Sequence, residues 1–273
     1  MKGTMKNYIM ASLLIPALAI GFTSCEDDDG GDLIQPAAES YAVTIDMAQM
    51  VDGAALMMNT DPNKPYTNAS GQDYSVSRLQ YLISDVTFNK VGGGSTTIEG
   101  YHYVDLDDTT TLTYSPATKI PEGNYESISF TFGFDEEDNV ENAYSELNIL
   151  NWNWPSTGMF GDLGGGYHYM RLEGKYDSLG KEKVFKTHMG TARNDNNTPV
   201  TFENNHLDIT LANSAITVNS DFSFSLVMDI AEWYEDTYQW DFNVYNAPIM
   251  PIYDAQKRLN ENGSTVFSIV NIQ

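Results

Sequence analysis

Apolar and polar residues alternate with a period of two along most of this chain. Ile128, Phe130, Phe132 and Phe134 are separated by Ser129, Thr131 and Gly133. Phe222, Phe224, Leu226, Met228 and Ile230 alternate with Ser223, Ser225, Val227 and Asp229. Successive side chains of a strand point to opposite faces, so each stretch reads as a strand with one face in a core. The same pattern predicts strands at 41–50, 78–89, 97–105, 167–176, 184–189, 207–211 and 266–272. Turn-forming runs punctuate them, among them Gly92-Gly93-Gly94, Pro121-Glu122-Gly123-Asn124 and Gly164-Gly165-Gly166. Helical patterning is short and confined to 230–236 and 254–260. The chain therefore reads as all-β, an antiparallel β-sandwich or barrel-like domain over residues 41–273.

The front of the chain follows different rules. Two lysines within Met1 to Lys6 precede an apolar stretch from Tyr8 to Phe22. A basic end, a short apolar run and small residues before a cut make a secretory signal peptide, too short and poorly flanked for a permanent membrane span. Phe22-Thr23-Ser24-Cys25 resembles a bacterial lipobox, which predicts residues 1–24 as a lipoprotein signal peptide and Cys25 as the lipidated first residue of the mature protein. The acids Glu26 to Asp29 resemble the signal that sends lipoproteins of Bacteroidota to the outer face of the outer membrane. An acidic flexible tether is the plainer reading of the same residues. Either way, residues 25–40 are expected to tie a water-exposed domain to a lipid bilayer. The cell surface is the expected location, with the periplasm as the alternative.

Charge narrows the partners. Among 273 residues, 14 Lys+Arg stand against 38 Asp+Glu, a formal net charge of −24. Phosphate contacts need clustered Lys and Arg, so this balance argues against nucleic acid and anionic membrane surfaces. A content of 41% hydrophobic and 12% aromatic residues is enough for a core and argues against disorder. The one cysteine, Cys25, rules out an internal disulfide framework and a Cys-based zinc site.

Five stretches in order carry a family resemblance. They are Tyr74 to Val86 (YSVSRLQYLISDV), Gly123-Asn124-Tyr125 leading into Ile128 to Gly133, Trp152-Asn153-Trp154, Gly166 to Gly174 (GYHYMRLEG) and Phe185 to Gly190 (FKTHMG). Together they resemble the MbnP-like copper-binding proteins over roughly residues 41–230. The resemblance implies a β-sandwich-like fold, copper binding and association with a di-haem, peroxidase-like partner. It also implies Cu(I) held by two histidines and a tryptophan that the partner oxidises to kynurenine, with His and Trp spaced as His-x-Trp or Trp-x-His. This sequence contains neither pair: Trp152 and Trp154 precede His168 by more than ten positions.

The residues themselves offer a metal constellation. Imidazole and thioether suit soft or borderline ions such as copper, as Cu(I) or Cu(II). The histidines are His102, His168, His188 and His206. If 167–172 is a strand, His168 and Met170 share one face and meet His188-Met189 from a neighbouring strand. His168, His188, Met170 and Met189 are then the expected ligands, with Met159 in the loop after the tryptophans as a further one. Trp152 and Trp154, two apart, are expected on one side of an extended segment, as packing residues or as redox-active, modifiable aromatics. Asp105-Leu106-Asp107-Asp108 and Asp135 to Asn139 are oxygen-rich candidates for Ca²⁺, or simply solvated turns. Neither matches an EF-hand.

Catalytic signatures are missing from the sequence: the glycine run lacks the Lys-Ser/Thr of a phosphate loop, and there is no Gly-x-Ser-x-Gly elbow. The leading expectation is a non-enzymatic, lipid-anchored copper-binding protein for capture or handling of the metal. The alternative is a surface ligand-binding or adhesion sandwich without metal, its aromatics exposed as one patch. A surface hydrolase ranks third.

Overall fold

Phe88 meets Phe222 and Phe224 edge-on, with ring centroids 5.8 and 6.5 Å apart, where the apolar faces of two sheets come together. The computed structural model describes residues 39–60, 62–246 and 248–273, so the predicted signal peptide, Cys25 and the tether up to residue 38 lie outside the described residues. The principal strands in chain order are β1 (Val43–Val51), β2 (Asp73–Lys90), β3 (Ser95–Asp105), β4 (Gly123–Phe132), β5 (Met170–Ser178), β6 (Lys181–Met189), β7 (Leu207–Thr210), β8 (Ile216–Val218), β9 (Phe222–Asp229) and β10 (Phe267–Val270). Short helices are α1 (Ser145–Ile149), α2 (Glu232–Glu235) and α3 (Tyr253–Asn262).

The larger sheet runs β6-β5-β2-β4-β7, with β3 also on β2 and β8 also on β4, all antiparallel. β2 serves two partners in turn. Its first half pairs with β5, and from Ile83 onward it pairs with β4 through a bulge at Asp85, whose φ is 52°. Bulges of this kind bend a strand and raise its local twist. The smaller sheet runs β10-β9-β1. Its β9 pairs antiparallel with β10 but parallel with β1, Val43 opposite Phe222. The fold is thus a mostly antiparallel sandwich with one parallel pair.

The alternating positions explain the burial. Ile128, Phe130 and Phe132 on β4 are all under 5% exposed, as are Phe224, Leu226 and Met228 on β9. Each such side chain contributes about 1.5–3 kcal/mol by leaving water. Phe130 and Phe132 both reach Phe267 of β10 across the gap, at 5.1 and 5.2 Å. Most predicted strands recur within a few residues of their expected ends. The strand expected at 167–176 begins instead at Met170, because Tyr169 forms a bend. That shift decides the site described next.

Candidate metal centre

Beyond the bend, β5 and β6 pair in strict register, with Met170 opposite Met189 and Arg171 opposite His188. Neighbouring residues in a strand face opposite ways, so this register sorts the expected ligands. Met170 and Met189 both point into the main apolar core and are 0% exposed. His188 looks out from the other face beside Arg171 and Glu173. The expectation that Met170 shares a face with His168 and meets His188 is therefore not met. The bend at Tyr169 breaks the alternation and turns His168 to the side of His188, while Met170 stays inside.

The two histidines do come together. Their rings lie 5.4 Å apart at 74°. His168 is buried and walled by tryptophan, with Trp152 at 5.5 Å and Trp154 at 4.9 Å between ring centroids. Trp152-Asn153-Trp154 is extended and bridges to Tyr167 through Asn153, so both indoles present to one side, as their spacing predicts. The backbone N–H of His168 donates to the Trp152 carbonyl at 2.9 Å, locking the two segments together. The His–Trp adjacency that the linear spacing lacks is thus present in space.

Two glycines of the quoted motifs permit this packing. A Cβ on Gly190 would lie 2.5 Å from the Trp154 ring, so the indole rests directly on the backbone after His188-Met189. A Cβ on Gly174 would lie 1.9 Å from the Ser75 carbonyl oxygen, so glycine admits β2 at the bulge between Glu173 and Gly174. The end of β6 is also held from α3. Buried Gln256 accepts from the Gly190 N–H at 3.2 Å and donates to the His188 carbonyl at 2.8 Å.

Polar neighbours set the state of each ring. His188 Nε2 donates to Glu173 Oε1 at 2.8 Å, which leaves the lone pair on Nδ1. The same Glu173 oxygen also accepts from Arg78 Nη1 at 3.2 Å. The hydrogen bond from His188, outweighing burial, lowers the Glu173 carboxyl to about 2. For His168, Nδ1–H donates to the Trp152 carbonyl at 3.0 Å, which leaves the lone pair on Nε2. Arg171 donates to the Asn151 carbonyl, stands 3.2 Å from His168 Nδ1, and lays its guanidinium over Trp152 at 4.5 Å. Burial first, then the charges of Arg171 and His188, push the His168 pKa well below its ordinary value. Burial also lowers His188, against the pull of Glu173. Both imidazoles are therefore neutral near pH 7, the state in which imidazole ligates a metal.

The donor set fits copper in its chemistry: two neutral imidazoles side by side, one oriented by a carboxylate in the manner of metal-bound histidines. The Trp152 Nε1–H is buried with no hydrogen-bond partner, an orphan donor beside His168. Trp154 Nε1, in contrast, donates to the Leu163 carbonyl at 3.1 Å.

The remaining candidates go elsewhere. His102 stacks on Tyr114 at 4.4 Å and bonds the Thr111 carbonyl at 2.7 Å. His206 is held by Asn204 at 3.0 Å. Among the described residues no group of three or more His, Cys, Asp or Glu converges as a metal site, so calcium gains no support. Asp105 and Asp135 instead accept backbone N–H groups of their own turns. The pocket beside His188, about 280 Å³, brings in side chains that strand patterning did not single out. Besides Met159 it is lined by Met250, Phe160, Lys186 and Ile249. Met250 lies in a Pro-Ile-Met-Pro loop with no period to read.

Comparison with known proteins agrees with this architecture. The family model described as MbnP matches residues 40–251. A search of curated proteins found no match. Among solved structures, MbnP from Methylosinus trichosporium is similar in fold, with a TM-score of 0.50 at 12% identity over 85% of this chain and 98% of that one.

Proposed function

The chain belongs to the MbnP family, and on that footing we propose that it is a copper-binding protein whose metal is held between His168 and His188. The observation that carries the reading is the pair of neutral imidazoles 5.4 Å apart, enclosed by Trp152 and Trp154. Bound copper supplies a soft, redox-active centre. The protein's own part is to hold the ring nitrogens, through the Trp152 carbonyl and Glu173, and to keep both rings unprotonated by burial.

In this proposal the protein captures or hands on copper and is not an enzyme. Cys25 carries the lipid that fixes it to an outer membrane, with the domain at the cell surface or in the periplasm. The di-haem, peroxidase-like partner implied by the resemblance would act on Trp152 or Trp154, the indoles against His168. The acidic charge would steer cations or a basic partner toward the domain. Ligand capture through an exposed aromatic patch draws no support, since among the described residues Phe202 alone of the aromatics is exposed.

The test loads the purified protein with Cu(I) under anaerobic conditions, removes excess metal and measures copper by elemental analysis. About one copper per chain is expected for two imidazole anchors of this kind, and almost none for the His168→Ala/His188→Ala double variant. Equal copper in both proteins refutes the assignment of the two histidines. Copper in neither refutes copper binding by the unmodified chain.

A further inference from the structure

The pocket beside His188 holds two thioethers: Met159, expected as a further ligand from its place after the tryptophans, and Met250, which neither the resemblance nor the strand pattern assigns. Met250 is 7% exposed and packs with Trp154 and Leu163 in a small apolar cluster of its own, flanked by Phe160. Trp154 in turn touches His168. Met250 thus shares a wall with one histidine's aromatic enclosure while lining the pocket of the other. Across the same pocket stands Met159, 89% exposed. A methionine left almost wholly in water forfeits the burial that normally explains its presence.

From this arrangement, and resting on the copper reading above, we propose that Met250 and Met159 form with His188 an outer thioether–imidazole site, selective for Cu(I), at which the metal enters.

The charge of the lining argues for the monovalent ion. Thioethers are neutral and never compete with protons for the metal, and they favour soft cations over Mg²⁺, Ca²⁺ or Zn²⁺. Among the described residues no carboxylate lines the pocket directly, Glu173 standing behind His188 in its hydrogen bond, and Lys186 is the one charged lining side chain. A dication entering there meets twice the repulsion from Lys186 that Cu(I) meets. The site disfavours hard divalent ions chiefly through its thioether donors.

The test labels the methionine methyl groups with ¹³C and follows them by NMR. Met159→Leu and Met250→Leu, each nearly volume-conserving, assign the two signals and report whether the fold is kept. One equivalent of Cu(I), or of Ag(I) as a closed-shell analogue, is expected to move the Met159 and Met250 methyls far more than those of Met170 and Met189. The Met159→Leu/Met250→Leu protein is expected to lose about tenfold or more in Cu(I) affinity with Zn²⁺ binding unchanged. If copper binds while both methyls stay in place, the outer site is wrong and the histidine centre stands. If no copper binds, the earlier reading fails and takes this one with it.

Discussion

Replacing Gly190 with alanine tests the packing that brings tryptophan to histidine. The added methyl would lie 2.5, 2.6 and 2.9 Å from Cε3, Cδ2 and Cζ3 of Trp154. Carbon atoms in contact sit about 3.5–4.0 Å apart, so the indole must retreat by roughly 1 Å. It has little room to do so. Its Nε1–H is tied to the Leu163 carbonyl, and Leu163, Met250 and His168 close in around it with exposures of 0, 7 and 4%. Overpacking of a well-filled site costs about 1–3 kcal/mol. For a domain of this size each kcal/mol lowers Tm by about 2–4 °C, so Gly190→Ala should melt roughly 2–12 °C below wild type. Thermal unfolding followed by circular dichroism and tryptophan fluorescence reads this directly. Exposed Lys181→Ala, expected within about 0.5 kcal/mol of wild type, serves as the control. A Gly190→Ala protein that melts with the control would sink the argument, since the indole would then have somewhere to go.

Two further outcomes follow from the polar contacts. Removing the Glu173 carboxylate by Glu173→Ala frees the His188 ring to rotate and to change tautomer, and should weaken Cu(I) binding by about 10–100-fold in a competition titration. Glu173→Gln, whose amide oxygen can still accept the hydrogen bond from His188 Nε2–H, should lose less, and equal affinities in all three proteins would mean that Glu173 does not orient the ring. Stability should also fall as pH drops below about 6.5, because buried His168 resists a proton that the unfolded chain accepts. The unfolded state then binds more protons, so ΔG of unfolding declines from the ordinary histidine pKa down toward the lowered one. Glu173, held near 2, contributes through a different window, present above its unfolded value and lost only as pH falls toward 2. Urea unfolding at about pH 7.5, 6.5 and 5.5 checks this, and an unchanged slope in His168→Gln would assign the effect to other groups.

Much of this molecule is legible from the period of its side chains. The alternation at 128–134 and 222–230 places β4 and β9, and marks which of their residues meet across the sandwich. The indole spacing of Trp152-x-Trp154 likewise tells that both rings face one way. Pattern fails where the backbone leaves the pattern. A single bend at Tyr169 exchanges the partners of His168, bringing it to His188 and leaving Met170 in the core. No local feature of Tyr167-His168-Tyr169 announces that bend, because it follows from two tertiary bonds, Tyr169 N–H to the Met189 carbonyl and Leu82 N–H to the Tyr169 carbonyl. Met250 was equally hidden, since a loop residue acquires its neighbours only from the fold. Met170 and Met189, which read well in sequence, are packing residues, whereas Met250, which strand patterning does not mark, lines the pocket beside Met159.

The parallel pair of β1 and β9 has a consequence for assembly. The Ala42 N–H donates to Asp221 Oδ1 across 179 positions of sequence, at the start of a ladder running from Val43–Phe222 to Met50–Asp229. A ribosome releases β1 long before its central neighbour exists. Until then Val43, Ile45 and Met47 present an apolar face beside an unfilled edge. Contacts so distant in sequence make folding slow, and they forbid the smaller sheet from closing on a nascent N-terminal portion. A chain cut short before residue 222 therefore forfeits more than its missing segment, since β1 loses the strand that was to cover its flank and becomes a sticky edge. Quality control of this protein, wherever it matures, has to wait for its last quarter.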